Sequence, residues 1–278
     1  MPLELIYITN NPQIAKIAEE NGVDRIMVDL ETLGKEERQK NMNTVKSHHT
    51  IEDVNKLSEM LTKAELLVRV NPWNENSEDE IESVISAGAK RIMLPMWKTT
   101  CDTDSFLKAV NGRVHTTLLL ETKEGAECIE GVLQNPLTDE IYIGLNDLHL
   151  SYGMDFMFEP LANGTVEKLS LQIKENGKEF GFGGVSKIGE GTLPAEKIIT
   201  EHYRLGSTKV ILSRSFCNTN EIKDIETIRQ IFEKNVKALR EFEEKLLDKT
   251  PDEYEKNRIE VKQCVSEIVR KIKENKAQ

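Results

Sequence analysis

The sequence predicts a (β/α)₈ TIM barrel, an α/β fold, with extra C-terminal helices. Eight short apolar runs recur at nearly even spacing, and between them apolar residues return three and four positions apart, as on the buried face of a helix. Several of these helical segments end in glycine, the usual residue just past a helix C-terminus. A doubly wound open sheet is the alternative, although no G-x-G-x-x-G motif follows any of the predicted strands.

In chain order, the predicted strands are 3–8, 25–30, 66–70, 91–96, 116–120, 141–144, 180–185 and 209–212. The clearest predicted helices are 12–22, 51–62, 77–89, 125–135 and 194–206. Strands joined by helices run parallel, so the residues that follow every strand emerge on one rim of the fold, where barrel enzymes carry their chemistry. We therefore expect a functional site at these strand ends.

Composition excludes several classes of function. With 38% apolar and 31% charged residues, and no apolar run near the roughly 18 residues of a membrane span, the chain is expected to be a soluble protein with no membrane helix. Its N-terminal residues lack a secretory pattern, which predicts a cytoplasmic location. A net charge of -11 argues against nucleic-acid binding. The four cysteines show no C-x-x-C spacing, so neither zinc nor a redox pair is predicted.

Two carboxylates follow neighbouring strands. Glu121 comes directly after strand 116–120, and Asp147 follows strand 141–144. Because both strands point the same way, the two acids can meet, and hard oxygen ligands of this kind suit Mg²⁺ or Mn²⁺. The alternative is that each acid caps the helix after its strand, since acids favour helix N-termini.

The same rim carries further charged residues. Asp29 and Glu31 follow the second strand, and Arg69 lies in the otherwise apolar third run. A buried arginine needs an anion beside it, which is either a substrate carboxylate held by the guanidinium fork or an internal ion pair with Asp29 or Glu31. The strand starts, by contrast, show mostly helix-capping glycines and single charges, and this asymmetry favours a site on the rim.

The polar segment 32–50 forms a long insertion after the second strand. Such segments in compact domains are usually functional or disordered. Lys35 and Arg38 are candidates for binding phosphate or carboxylate groups of a substrate, and His48 and His49 for proton transfer; a solvated surface loop is the alternative. His149, two residues beyond Asp147, is a further candidate proton carrier or a packing residue.

Beyond residue 220 the alternation of strands and helices stops. Apolar residues at helical spacing predict a long helix from Ile225 to Leu246, the eighth helix of the barrel, and a second helix that begins at Pro251. We therefore divide the chain into a barrel with a metal-dependent active site, 1–220, and a helical extension, 221–278. Both helices carry apolar stripes that are expected to pack in a homo-oligomer, since the stripe of the first outruns the height of one barrel helix; folding back on their own barrel is the alternative.

Five segments in sequence resemble one superfamily. They are VDLE at 28–31, LVRVNP at 67–72, AGAKRIMLPM at 87–96, LLLETKEG at 118–125 and IGLNDLHLSYG at 143–153. In this order and spacing they resemble the hydroxy-oxo-heptanedioate aldolases and citrate lyase beta subunits, over roughly residues 3–216.

The resemblance implies a phosphoenolpyruvate/pyruvate-type barrel, usually oligomeric, that makes or breaks carbon–carbon bonds beside a 2-oxo acid or acyl thioester. It implies that Glu121 and Asp147 are ligands of Mg²⁺, that Arg69 clamps the substrate carboxylate, and that Asp29 and Glu31 line the same pocket. The run Glu31-Thr32-Leu33 stands where the aldolase branch carries a histidine, and Thr32 stands where the citrate lyase branch carries a second acid. The chain is therefore expected to form a separate subgroup.

These observations lead us to expect a metal-dependent lyase or aldolase that acts on a pyruvate-like or oxaloacetate-like 2-oxo acid, or a related acyl substrate, through an enolate. The proton of the substrate hydroxyl would go to Glu31, to a metal-bound water or to a histidine of the insertion. The alternatives are a phosphoenolpyruvate-utilising enzyme on the same barrel, or a protein that binds such acids without turnover.

Overall fold

The computed structural model of the protein describes residues 1–34 and 49–276 and forms a closed barrel of eight parallel strands in chain order. The strands are β1 (Glu4–Ile8), β2 (Arg25–Asp29), β3 (Glu65–Arg69), β4 (Arg91–Leu94), β5 (His115–Leu120), β6 (Glu140–Ile143), β7 (Glu179–Val185) and β8 (Lys209–Leu212). Every predicted strand is confirmed to within two residues at each end. Since β1 pairs with β8, the alternative of an open sheet is excluded.

Helices surround the barrel. They are α1 (Pro12–Glu20), α2 (Ile51–Met60), α3 (Ser77–Ser86), α4 (Thr100–Val110), α5 (Lys123–Leu133), α6 (Leu145–Ser151), α7 (Glu159–Ala162), α8 (Thr165–Glu175), α9 (Ala195–Leu205), α10 (Ile225–Leu246) and α11 (Pro251–Lys276). Local sequence fixes several starts: the side chains of Thr50 and Thr99 each form a capping box with an aspartate three residues on. None of the described helices is long and apolar enough to cross a membrane.

Alternate strand residues point into the barrel, where an apolar layer fills the middle. This layer consists of Ile6, Met27, Leu67, Met93, Leu119 and Tyr142, with Ile211 packed against it. The next inward residues toward the carboxyl ends of β2, β3 and β5 are Asp29, Arg69 and Glu121. The apolar layer is therefore the floor of the predicted site and separates it from the other end of the barrel.

An ion-pair network closes that other end. Arg25 pairs with Glu4 at 2.6 Å, with Glu65 at 2.9 Å and with Glu140 at 2.6 Å, and Lys209 pairs with Glu140 at 2.8 Å. Burial opposes the charge of Glu140, but the cations around it lower its pKa to about 2. The expected asymmetry between strand starts and strand ends is therefore wrong: charges at the starts converge inside the barrel as well.

The two C-terminal helices both pack on the barrel. As predicted, α10 is the eighth barrel helix, lying against α1, and its Glu243 accepts a hydrogen bond from the backbone N–H of Leu3 at 2.7 Å. Helix α11 folds back onto α7 and α9, which buries Val261 and Val265. The chain itself therefore covers part of this stripe, as the alternative of folding back has it, while Ile268 and Ile272 stay half-buried; packing of these helices in a homo-oligomer remains a prediction.

Candidate metal and substrate site

An arginine and two acids meet where β2 and β3 end. Asp29 and Arg69 are register partners in the sheet, and Nε and Nη2 of Arg69 donate to the two carboxylate oxygens of Asp29, each at 2.9 Å. Nη2 also lies 3.3 Å from Oε2 of Glu31. The internal ion pair considered as an alternative is thus present. Burial disfavours the charge of Arg69, but Asp29 and Glu31 more than offset this and raise its pKa.

The ion pair with Asp29 and Glu31 engages two of the three nitrogens of the guanidinium group. Nη1 of Arg69 has no hydrogen-bond partner among the described residues, whereas both oxygens of Asp29 accept from the other two nitrogens. Asp29 therefore orients the guanidinium plane and leaves one edge for a further anion. An internal ion pair with Asp29 and a bound substrate carboxylate, the two alternatives raised by the sequence, are therefore compatible in one geometry.

Glu121 is the first residue after β5 and is 4% exposed. Its Oε1 accepts from the backbone N–H of Met96 at 3.0 Å. On the other side lies Gly144, where an added Cβ would stand 2.9 Å from Oε2. The helix after Glu121 is capped instead by Thr122, whose hydroxyl accepts from the N–H of Gly125, so the capping role is excluded for Glu121.

Asp147 lies in the first turn of α6, whose N-cap residue, Gly144, has no side chain to cap the helix. Burial raises the pKa of Glu121 well above its usual range, and the charge of Asp147 raises it further, while Arg69 acts in the opposite direction. The charge of Asp147 thus acts on Glu121, in line with the meeting that the parallel strands lead us to expect, and Asp147 is carried by a helix rather than by the strand end itself.

This donor set fits a hard divalent cation. Two opposed carboxylates, one of them buried, repel each other unless positive charge lies between them, and Mg²⁺ commonly uses one or two carboxylates together with water and substrate oxygens. Within residues 1–34 and 49–276 no group of three or more acidic, histidine or cysteine side chains has metal-site geometry. The pair Glu121 and Asp147 would therefore need water or substrate oxygens to complete a coordination shell.

The histidines differ in their placement. The backbone N–H of Asp29 donates to Nδ1 of His49 at 2.9 Å, which puts this ring beside the site and leaves Nδ1 without a proton. His149 is 6% exposed, and its Nδ1 lies 3.2 Å from the carbonyl oxygen of Leu145 in its own helix, as expected of a packing residue. The insertion residues Lys35, Arg38 and His48 lie outside the described residues.

Asn71, a residue that sequence reasoning did not single out, supports the rim. Its Oδ1 accepts from the backbone N–H groups of Thr32 at 2.8 Å and Leu33 at 2.9 Å, and its Nδ2 donates to Glu80 at 2.8 Å. It thereby fixes the chain just after Glu31. The available signal was its position two residues after β3 and before a proline, inside the LVRVNP segment.

Sequence comparison agrees with the geometry. The profile of the HpcH/HpaI aldolase/citrate lyase family matches residues 5–157, a span that runs from β1 past Asp147. The chain belongs to this family. A comparison with curated proteins finds no match. Aldolases and lyases make up the family, and the resemblance drawn from the five sequence segments is thereby confirmed.

Solved structures share the fold of this family member. An HpcH/HpaI aldolase from Desulfitobacterium hafniense DCB-2 has 16% identity and a TM-score of 0.62, and covers 82% of this chain and 93% of its own. A citrate lyase beta subunit from M. tuberculosis, complexed with oxaloacetate and magnesium, has 15% identity and a TM-score of 0.56 over 83% and 97%. The protein CitE from Mycobacterium tuberculosis, in complex with magnesium and pyruvate, has 13% identity and a TM-score of 0.57 over 83% and 90%.

Proposed function

We propose that the protein is a Mg²⁺- or Mn²⁺-dependent carbon–carbon lyase or aldolase that acts on a 2-oxo acid, or a related acyl substrate, through an enolate. The observation that carries the proposal is the buried carboxylate of Glu121, opposed by Asp147 and flanked by the guanidinium of Arg69. Similar structures bind oxaloacetate with magnesium and pyruvate with magnesium, which supports the same class of ligand here.

Glu121 and Asp147 would hold the cation. When bound, the cation supplies positive charge beside the substrate oxygens on which negative charge develops as the carbon–carbon bond breaks. The burial of Glu121 strengthens this interaction, because charges act more strongly on each other where water is excluded. The apolar layer beneath the site keeps water from entering from the other end of the barrel.

Arg69 would bind the substrate carboxylate through Nη1, the nitrogen that the described acids leave without a hydrogen bond. Asp29 then acts by orienting Arg69, since both of its oxygens accept from the guanidinium. Lys35 and Arg38 keep their predicted role in binding phosphate or carboxylate groups of the substrate.

Glu31 is our choice for the group that takes the hydroxyl proton. It is 2% exposed and its Oε2 lies 3.3 Å from Nη2 of Arg69, beside the carboxylate that Arg69 would hold. His49 is a weaker choice, because Nδ1, its unprotonated nitrogen, already accepts the N–H of Asp29.

Hydrogen–deuterium exchange of pyruvate tests this proposal without knowledge of the second substrate. Formation of the enolate makes the methyl protons of pyruvate exchange with D₂O, and proton NMR follows the loss of the methyl signal. We expect exchange that requires Mg²⁺ or Mn²⁺ and falls by at least about 100-fold in Glu121→Gln and Asp147→Asn. Glu19→Gln is the matched control, since Glu19 is a buried carboxylate at the opposite end of the barrel, bonded to the N–H groups of residues 62–64.

Other outcomes separate the alternatives. Tight binding of oxalate, a mimic of the pyruvate enolate, without exchange of pyruvate protons would identify a binding protein. Consumption of phosphoenolpyruvate in place of pyruvate exchange would identify the phosphoenolpyruvate-utilising enzyme. Exchange that persists undiminished in both carboxylate variants would contradict the assignment of Glu121 and Asp147.

A further inference from the structure

Met96 has an unusual backbone conformation. Its φ is 54°, in the left-handed region where a non-glycine residue is disfavoured by contact between its Cβ and the backbone. Among the described residues only one other non-glycine residue, Asn111 with a φ of 50°, has a positive φ. Asn111 ends α4, a position where asparagine is often found in this conformation. Methionine has no such preference, so the conformation of Met96 needs another cause.

The strained residue contacts the predicted metal site. The N–H of Met96 donates to Oε1 of Glu121 at 3.0 Å, and it is the one hydrogen bond that this buried carboxylate makes with the described residues. This bond holds Oε1 in place, while Gly144 leaves room beside Oε2 that a side chain would occupy.

Neighbouring contacts hold the strained segment in place. Trp97 is 2% exposed, and its carbonyl oxygen accepts from the hydroxyl of Thr122 at 2.7 Å. The N–H groups of Lys98 and Thr99 both donate to Asp102, each at 3.0 Å. The chain around residue 96 is thus tied to the residue after Glu121 and to the start of α4. Strained backbone persists where its surroundings over-determine it, and such sites are often functional.

We propose that the left-handed backbone of Met96 is a positioning device that aims its N–H at Glu121 and so sets the affinity of the site for a divalent cation. This inference rests on the proposed function. Met96 is a positioning residue in this scheme, acting through its backbone, and its side chain can be exchanged as long as the backbone conformation is kept.

Two substitutions separate conformation from side chain. Met96→Gly keeps the left-handed backbone without strain, so we expect Mn²⁺ affinity within about twofold of the parent. Relief of strain is opposed by the greater freedom of glycine in the unfolded chain, so the melting temperature should change little. Met96→Val disfavours the conformation most, because a branched Cβ fits it worst, so we expect Mn²⁺ affinity to fall about 10–100-fold, as on loss of a group that orients a metal ligand. Isothermal titration with Mn²⁺, with oxalate present, measures both.

Asn111 supplies the matched control. Asn111→Val imposes the same strain at the far end of α4, where the N–H of residue 111 donates to the carbonyl oxygen of Leu107 in its own helix. It should lower the melting temperature and leave Mn²⁺ affinity unchanged. Equal losses of affinity in Met96→Val and Asn111→Val, or parental affinity in Met96→Val, would overturn the inference.

Glu121→Ala distinguishes a failure of this inference from a failure of the proposed function. Loss of Mn²⁺ binding in Glu121→Ala together with parental binding in Met96→Val refutes only the role of Met96. A parent that binds no Mn²⁺, or a Glu121→Ala protein that binds it undiminished, refutes the metal site and the inference with it.

Discussion

Replacing Gly144 with alanine is the sharpest perturbation that the structure offers. The added Cβ would stand 2.9 Å from Oε2 of Glu121, 3.0 Å from Cβ of the same residue and 3.1 Å from Cδ1 of Leu119. Glu121 cannot turn away freely, since its Oε1 is bonded to Met96, and Leu119 belongs to the packed layer inside the barrel. The carboxylate or the start of α6 must therefore move by a few tenths of an ångström.

The size of the effect follows from that clash. Overpacking of this kind costs about 1–3 kcal/mol, partly offset by about 0.4–1 kcal/mol because alanine restricts the unfolded chain. A fall in melting temperature of about 2–6 °C is expected. Movement of α6 also shifts Asp147, which lies three residues after Gly144 in the first turn of this helix. The Mn²⁺ affinity should therefore fall about 10–100-fold.

Titration calorimetry measures the Mn²⁺ affinity of Gly144→Ala, and thermal melting with and without Mn²⁺ measures its stability. Gly184→Ala is the control, because its added Cβ would meet Ile211 and Ser213 only at 3.6 Å, an ordinary contact, and its Mn²⁺ affinity should match the parent. Parental affinity in Gly144→Ala, with Glu121 in its original position in a crystal structure of the variant, would refute the reasoning.

Three further predictions concern charge and packing. Arg69→Lys loses the paired bonds to Asp29, since an ammonium group cannot present two parallel donors, and oxalate should bind at least about tenfold more weakly by calorimetry. The raised pKa of Glu121 means that the folded protein holds a proton the unfolded chain has released, so metal-free stability should fall as pH rises from about 4. Glu121→Gln should lessen this slope, melt above the parent at pH 8 without metal, and lose the stabilisation by Mg²⁺. Deletion of 251–278 uncovers the surface that buries Val261 and Val265, so the melting temperature should fall equally at every protein concentration.

Each of these three predictions has an outcome that would contradict it. If Arg69→Lys binds oxalate as tightly as the parent, Arg69 does not bind the substrate carboxylate. An unchanged dependence of melting temperature on pH in Glu121→Gln means that Glu121 has an ordinary pKa. If the melting temperature of the deletion variant depends on protein concentration and that of the parent does not, residues 251–278 stabilise the protein by more than packing on their own barrel.

The barrel could be predicted because its signals are local. Parallel strands buried on both faces read as short apolar runs, and the order of strands in a (β/α)₈ fold follows the chain, so the placement of Glu121 after β5 and of Asp147 after the neighbouring β6 could be predicted without any contact information. The position of Asp147 on α6 was less accessible. That helix is seven residues long, too short to produce a clear repeat of apolar residues.

The features that could not be predicted depend on tertiary contacts. Arg25, Glu65, Arg91, Glu140 and Lys209 read as isolated charges at the strand starts, and only the inward register of their strands brings them together. The stripe of α11 predicted burial, but a pattern of apolar residues does not specify which surface covers it. The left-handed backbone of Met96 had no signal at all, because methionine is uncommon in that conformation.

A crystal structure of the protein soaked with Mn²⁺ and oxalate tests the central claim most directly. The account predicts an anomalous scattering peak bound to carboxylate oxygens of both Glu121 and Asp147 at roughly 2.1–2.2 Å, with an oxalate oxygen within hydrogen-bonding distance of Nη1 of Arg69. A peak that lies away from these two carboxylates, or oxalate bound out of reach of Arg69, would contradict it.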